Sequence, residues 1–165
     1  MLKRFDGTPA VGQLVYRPDE HGLDVEPRPE QGVASLLVND VQIEIDEDGN
    51  LIYVWGLCSH DSWRSARLDP PTAVPGRLRY VGAEVVPGIS RRLNADRHWL
   101  VSYDPSSRWL CVGDESIGGE AVEFGPDSVA VLNEAQLVAL WLRPTIQAKT
   151  CASLKDKDTH LSDIP

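Results

Sequence analysis

Cysteine is scarce in this chain of 165 residues: Cys58, Cys111 and Cys151 form an odd, widely spaced set. Such a set excludes a disulfide framework as the device that holds the fold together. Paired Cys-x-x-Cys and His-x-x-x-His spacings, which seat structural zinc, are also missing. The opening Met1-Leu2-Lys3-Arg4-Phe5-Asp6 has no apolar stretch of the kind a secretory signal needs, and no apolar run approaches a membrane span. Reduced thiols without an export signal point to the cytosol. Methionine (one) and phenylalanine (two) are rare, whereas tryptophan occurs five times. Indole rings fill large volumes and carry a donor that needs a partner, so they suit sheet faces and binding surfaces.

What is abundant is negative charge. The formal net charge is −9, and it is unevenly spread. Residues 1–60 hold eleven acids against four bases, residues 61–110 five against eight, and residues 111–165 nine against four. A surface of this sign repels phosphate backbones, which excludes direct nucleic-acid binding as the expectation and favours a basic protein as partner.

The hydrophobic rhythm is that of strands. Val41, Ile43 and Ile45 alternate with Gln42, Glu44 and Asp46, a period of two. Glu47-Asp48-Gly49-Asn50 then supplies turn residues, and Leu51-Ile52-Tyr53-Val54-Trp55 follows, so the segment reads as a hairpin. A second hairpin runs from His98-Trp99-Leu100-Val101-Ser102-Tyr103 through Asp104-Pro105-Ser106-Ser107 to Arg108-Trp109-Leu110-Cys111-Val112. Pro105 presets the turn dihedral there, and Asp104 can bond the turn backbone. A third pairing joins Ala121–Phe124, Val129–Leu132 and Leu137–Leu142. Glu134 to Leu142 could instead be a short helix capped by Asn133, but similar run lengths and the stop at Pro144 fit a strand better.

Residues 1–32 are punctuated by prolines and glycines, and only Gln13-Leu14-Val15-Tyr16 has the look of a strand. The segment reads as an extended wrap around the domain. Residues 149–165 carry little that could bury and read as a polar, flexible tail after a single β-rich domain spanning 1–148. The fold expected is mostly β: an antiparallel β-sandwich or partly closed barrel built from hairpins.

Chemistry-bearing clusters are few. Cys58, His60 and Asp61 could each bind a divalent ion, yet they lack paired ligand spacing and read as a small buried thiol followed by a turn. The same burial would raise the pKa of Cys58 or Cys111 and silence it as a nucleophile. The loop Gly113-Asp114-Glu115-Ser116-Ile117-Gly118-Gly119-Glu120 cannot cradle phosphate, because its carboxylates would repel the ligand and no Lys-Ser/Thr follows its glycines. Arg77, Arg79, Arg91, Arg92 and Arg97 form the one basic concentration and read as partners for acids of the N-terminal third. No catalytic residue, metal site or cofactor is expected.

The function expected is therefore an acidic protein-binding module, of the kind an immunity protein provides when it covers the active site of a basic toxin or nuclease. Asp46, Glu47, Asp48, Asp114, Glu115 and Glu120 would steer the partner, with Trp55 or Trp63 as anchor. One alternative is a small-molecule or enzymatic pocket lined by Arg97, His98, Trp99, Tyr103 and Trp109 between the sheets. Another is a structural role in a larger assembly.

Overall fold

The computed structural model describes residues 1–29, 31–94 and 96–147. The tail expected at 149–165 lies outside them. Along the chain the strands are β1 (Leu2–Phe5), β2 (Gln13–Arg17), β3 (Gly22–Glu26), β4 (Ala34–Val38), β5 (Val41–Ile45) and β6 (Leu51–Leu57). A single 3-10 turn, His60–Ser62, precedes β7 (Arg64–Ser65), β8 (Val74–Pro75), β9 (Arg77–Tyr80) and β10 (Ser90–Arg92). The remainder are β11 (Val101–Tyr103), β12 (Leu110–Gly113), β13 (Glu120–Gly125), β14 (Ser128–Asn133), β15 (Gln136–Leu142) and β16 (Thr145–Ile146).

Two seven-stranded sheets pack face to face, in the orders β10-β4-β5-β6-β3-β2-β16 and β7-β11-β12-β15-β14-β13-β8, and β1 pairs with β9 beside them. The core between them draws Leu14, Val25, Leu36, Ile43 and Val54 from the first sheet and Leu110, Val112, Val122 and Leu140 from the second. This is a β-sandwich. Period-two patterning explains the inward faces: Val41, Ile43 and Ile45 are buried while Gln42 and Glu44 are not. The three hairpins expected around Gly49, Pro105 and the Gly125–Asp127 turn all form, and 136–142 is a strand, not a helix.

Several expectations need correcting. The N-terminal segment is not a peripheral wrap. It contributes three strands, and β2 and β3 bury Leu14, Val15, Tyr16, Leu23 and Val25. Its prolines sit where strands stop: Pro18 begins the β2–β3 turn, and Pro27 follows β3. The second hairpin starts later than expected, at Val101. Ahead of it, Asn39 holds Trp99 in place, its Oδ1 accepting from the Trp99 N–H (2.9 Å) and its Nδ2 donating to the Trp99 carbonyl (2.9 Å).

Among the described residues the arginines of the central segment form no ion pair with N-terminal acids either. Arg77 and Arg79 lie over the Phe5 ring, and Arg79 Nε donates to Asn50 Oδ1 (2.8 Å). Arg91 lies over Tyr80, and Arg92 donates to the Asn39 carbonyl (2.6 Å). Stacking and carbonyl capping suit the planar guanidinium as well as a carboxylate does.

The two sheets are built to one plan. In the first, hairpin β2–β3 is followed by meander β4–β5–β6, whose last strand returns to pair with β3. In the second, hairpin β11–β12 is followed by meander β13–β14–β15, whose last strand returns to β12. The registers coincide. Tyr16 faces Leu23 as Tyr103 faces Leu110, and Gln42 faces Trp55 as Val129 faces Trp141. Even the bulge recurs, between Glu44 and Ile45 in one unit and Val131 and Leu132 in the other. The hairpin turns match too: Tyr16-Arg17-Pro18 and Tyr103-Asp104-Pro105 each lead to a residue with positive φ, His21 and Arg108.

Each unit also lends its next strand to the other sheet. β7, after β6, pairs in parallel with β11, and β16, after β15, pairs in parallel with β2. Equivalent backbone bonds follow, Ala66 N–H to the Tyr103 carbonyl (3.0 Å) and Gln147 N–H to the Tyr16 carbonyl (2.9 Å). All four outermost strands of the sandwich, β10, β16, β7 and β8, are short and parallel to their neighbours. Short edges of this kind blunt the open hydrogen-bonding rim that invites aggregation.

Candidate functional site

Among the described residues the space between the sheets is filled by side chains, so clefts occur on the outside. Three of them gather the residues singled out from the sequence.

One cleft, of about 520 Å³, lies where the Gly113–Ser116 loop meets the approach to β11. It brings Arg97, His98 and Trp99 together with Asp114 and Glu115, joining residues assigned to two different functions. Its charges are largely engaged. Asp114 Oδ1 accepts from the Ser116 hydroxyl (2.5 Å) and N–H (2.9 Å), which holds its pKa below the usual carboxylate value. Arg64 donates to Ser102 Oγ (2.9 Å) and to Glu115 (3.4 Å).

The second cleft is aromatic. Tyr16, Pro18, His60, Trp63, Ser65, Tyr103 and Ile146 enclose about 350 Å³ at the junction of the two sheets. Trp63 is placed by the 3-10 turn after Cys58, and its indole N–H points to Cys58 Sγ (3.4 Å). Its ring centroid lies 4.8 Å from that of Tyr16 and 4.9 Å from that of Tyr103, with tilts of 46° and 44°. The Tyr16 hydroxyl donates to the Cys58 carbonyl (2.9 Å) and meets His60 Nδ1 at 3.3 Å, while His60 stacks on His21. Burial pushes the Tyr16 pKa up to about 12, so the phenol stays neutral.

The third lies on the outer face of the first sheet. Arg17, Asp24, Arg28, Asp40, Trp55, Leu57 and Arg92 are among the residues lining about 500 Å³ there. Trp55 Nε1 donates to Glu44 Oε2 (2.9 Å), which satisfies the indole donor. Leu57, at 59% exposure, projects into solvent at the end of β6. The equivalent face of the second sheet is closed. There the segment after β7 lays Ala66, Leu68 and Ala73 over Cys111, Val129, Val131, Ala139 and Trp141. Trp141, the counterpart of Trp55, keeps only 3% exposure.

No family model matches the chain, and no curated protein is significantly similar to it.

The remaining residues fall elsewhere. Asp46 is a turn-former, its carboxylate accepting from the N–H groups of Asp48 (3.0 Å) and Asn50 (2.8 Å) and from Asn50 Nδ2 (2.7 Å). Glu47 and Asp48 are exposed at the tip of that turn. Glu120 pairs with Arg4 (3.1 Å) beside β1. The six acids therefore occupy three separate places. Trp109 does not face the interior as the pocket reading required; it packs edge-on against Trp141 on the covered outer face, with Arg143 over its ring.

Cys58, His60 and Asp61 do not converge, and among the described residues no group of three or more potential ligands is assembled. Burial raises the Cys58 and Cys111 thiols to about 11 and about 12, which keeps both protonated near neutrality. Among the described residues no helix is long and apolar enough to cross a membrane. Sequence reasoning missed the exposure of Leu57, an apolar residue at the end of β6.

Proposed function

We propose that the chain is a protein-binding module that docks a basic partner on the outer face of its first sheet, in the manner of an immunity-type inhibitor acting in the cytosol. One observation carries this reading. Two sheets of the same plan treat the same position differently, covering Trp141 and leaving Trp55 only partly buried beside exposed Leu57. Tryptophan is among the residues enriched at interface hot spots.

Charge agrees with a basic partner. The cleft itself is mixed, Arg17, Arg28 and Arg92 lining it with Glu20, Asp24 and Asp40, and the surplus lies in the surrounding third of the chain, where acids outnumber bases eleven to four. Long-range attraction would raise the association rate, and the Trp55–Leu57 surface would set the lifetime of the complex. A ligand held between the sheets gains no support, because that space is packed with core side chains.

The test is a capture experiment from the native host with wild type and Leu57→Asp side by side. The expected result is one basic protein, bound one to one, whose activity the wild-type chain inhibits and which L57D recovers at least tenfold less well. A partner retained equally by L57D, or none recovered by wild type, overturns the proposal. Ile117→Asp, on the first cleft, serves as the control that leaves capture unchanged.

A further inference from the structure

The aromatic cleft has a second, separate use. Its three main rings come from different places: Tyr16 from β2 of the first sheet, Tyr103 from β11 of the second, and Trp63 from the turn that crosses between them. The two tyrosines are equivalents in the repeated plan, and the indole packs on both. Tyr16 is only 1% exposed and backs the cleft, so the tilts of 46° and 44° leave the part-exposed rings of Trp63 and Tyr103 as the aromatic wall a ligand can reach.

The polar inventory narrows what can sit there. The Tyr16 hydroxyl is committed to Cys58 and His60, and the Trp63 N–H to Cys58 Sγ. What remains on the lining is the hydroxyls of Ser65 and Tyr103 and the His60 ring, whose Nε2 already faces Asp61 at 3.3 Å. A sugar would bury hydroxyls with too few partners, and an unmodified lysine would bury three donors. An ammonium ion carrying methyl groups brings no donor and is attracted to the negative faces of the rings. Among the described residues no lysine or arginine lines the cleft to oppose it, and the chain's net charge of −9 favours its approach.

We propose that the cleft walled by Trp63 and Tyr103, with Tyr16 behind them, binds a quaternary ammonium group, carried either by a small metabolite or by a trimethylated lysine side chain. Pro18 and Ile146 close its sides against the methyl groups. The site is independent of the docking face and shares no residue with it.

The experiment titrates the full chain with choline, with a short trimethyl-lysine peptide and with the neutral carbon isostere of choline, in which a tert-butyl group replaces the trimethylammonium. Tryptophan fluorescence and two-dimensional NMR report occupancy. The expected result is saturable binding of at least one cation, with the isostere about tenfold weaker or more. Tyr103→Leu, which keeps apolar bulk and removes a π face, should weaken the cation by a similar factor. Tighter binding of choline assigns the site to a free metabolite, and tighter binding of the peptide assigns it to a modified protein; either supports the cage. Equal binding of the cation and its isostere overturns it, since only apolar volume would then be at work. So does the lack of any saturable shift with the folded wild-type chain.

Discussion

The first unit, β2 to β6, and the second, β11 to β15, share strand order, register and bulge, yet they are stabilised by different means. On the outside of the second sheet a crossing segment completes a small apolar cluster around Trp141 and Cys111. On the outside of the first, charge replaces part of that cluster: Asp24 stands where the second unit has Cys111, held by Arg28 (3.0 Å) and Arg17 (3.5 Å), and Glu44 where it has Val131. One unit has spent its outer face on stability, and the other has left its own available. A duplicated architecture supplies its own control, because backbone plan is constant while covering differs.

The comparison breaks most directly at the paired tryptophans. Trp141→Ala empties a covered site and should cost about 3–5 kcal/mol, enough to threaten a domain of ordinary stability. Trp55→Ala, on the open face, should cost only about 1 kcal/mol, from lost partial burial and the Glu44 bond. Urea melts of the two variants give the difference. Equal losses would mean the first face is as structural as the second.

The covering segment comes next in size. Leu68 has 7% exposure and Leu57 59%. Leu68→Ala should cost about 2 kcal/mol or more, whereas Leu57→Ala should stay within about 0.5 kcal/mol. Protease sensitivity between Ala66 and Ala73 should rise in L68A alone, if that segment is a lid fixed by its leucine.

A third contrast sits at the hairpin turns. Asp104 occupies the position that Arg17 holds in the first unit. Its carboxylate accepts from Leu68 N–H (3.0 Å), Ser106 N–H (2.8 Å) and Ser107 N–H (3.4 Å), so it ties both the turn and the covering segment. These bonds, that from Leu68 foremost, lower its pKa from 3.8 to about 2. A depressed carboxylate adds stability that is complete above the unfolded value and disappears as pH falls through the folded one. Wild type should therefore weaken between about pH 4 and pH 2, and Asp104→Asn should be less stable at neutrality but show a shallower acid limb. Thermal melts across that range measure both slopes. Parallel slopes would place the acid sensitivity on Asp24 and Asp114 instead.

What could be read in the sequence was local. Gly49 and Pro105 announce hairpins because a turn needs its special residue within a few positions of the strands it joins. Alternation at Val41–Ile45 gave the buried face for the same reason. The duplication left fewer traces. Tyr16 and Tyr103, Pro18 and Pro105, Leu23 and Leu110, and Trp55 and Trp141 are shared, but most equivalent positions differ, since an apolar site accepts any residue of suitable volume. The N-terminal strands were hidden by the glycines and prolines that end them. Edge strands of two or three residues, such as β7 and β16, have no local pattern at all; a parallel partner from the other unit creates them. The candidate site suffered similarly. Trp55 and Trp63 stood out as residues, but whether each is covered depends on which distant segment crosses over it.

The smallest effect concerns the charges that replace burial on the open face. Burial alone would raise the Asp24 pKa, and bonds from Arg28, the Val25 N–H and Arg17 reverse this and leave it lowered. Arg17 also pairs with Glu26. Because these groups are partly solvated, their attraction is screened and partly offset by the ordering of long side chains. Arg17→Met, which keeps the aliphatic stem, should therefore cost less than about 1 kcal/mol in dilute buffer. The loss should shrink further at about 0.5 M salt, where the screening length falls well below the span of the cluster. Leu68→Ala offers the matched measurement, since burial does not depend on screening and its cost should hold or grow as salt rises. If Arg17→Met proved costly and salt-independent, the ion pairs would be acting as a packed structural element. The outer face of the first sheet would then be as closed in energy as that of the second, and the case for a docking surface there would fall with it.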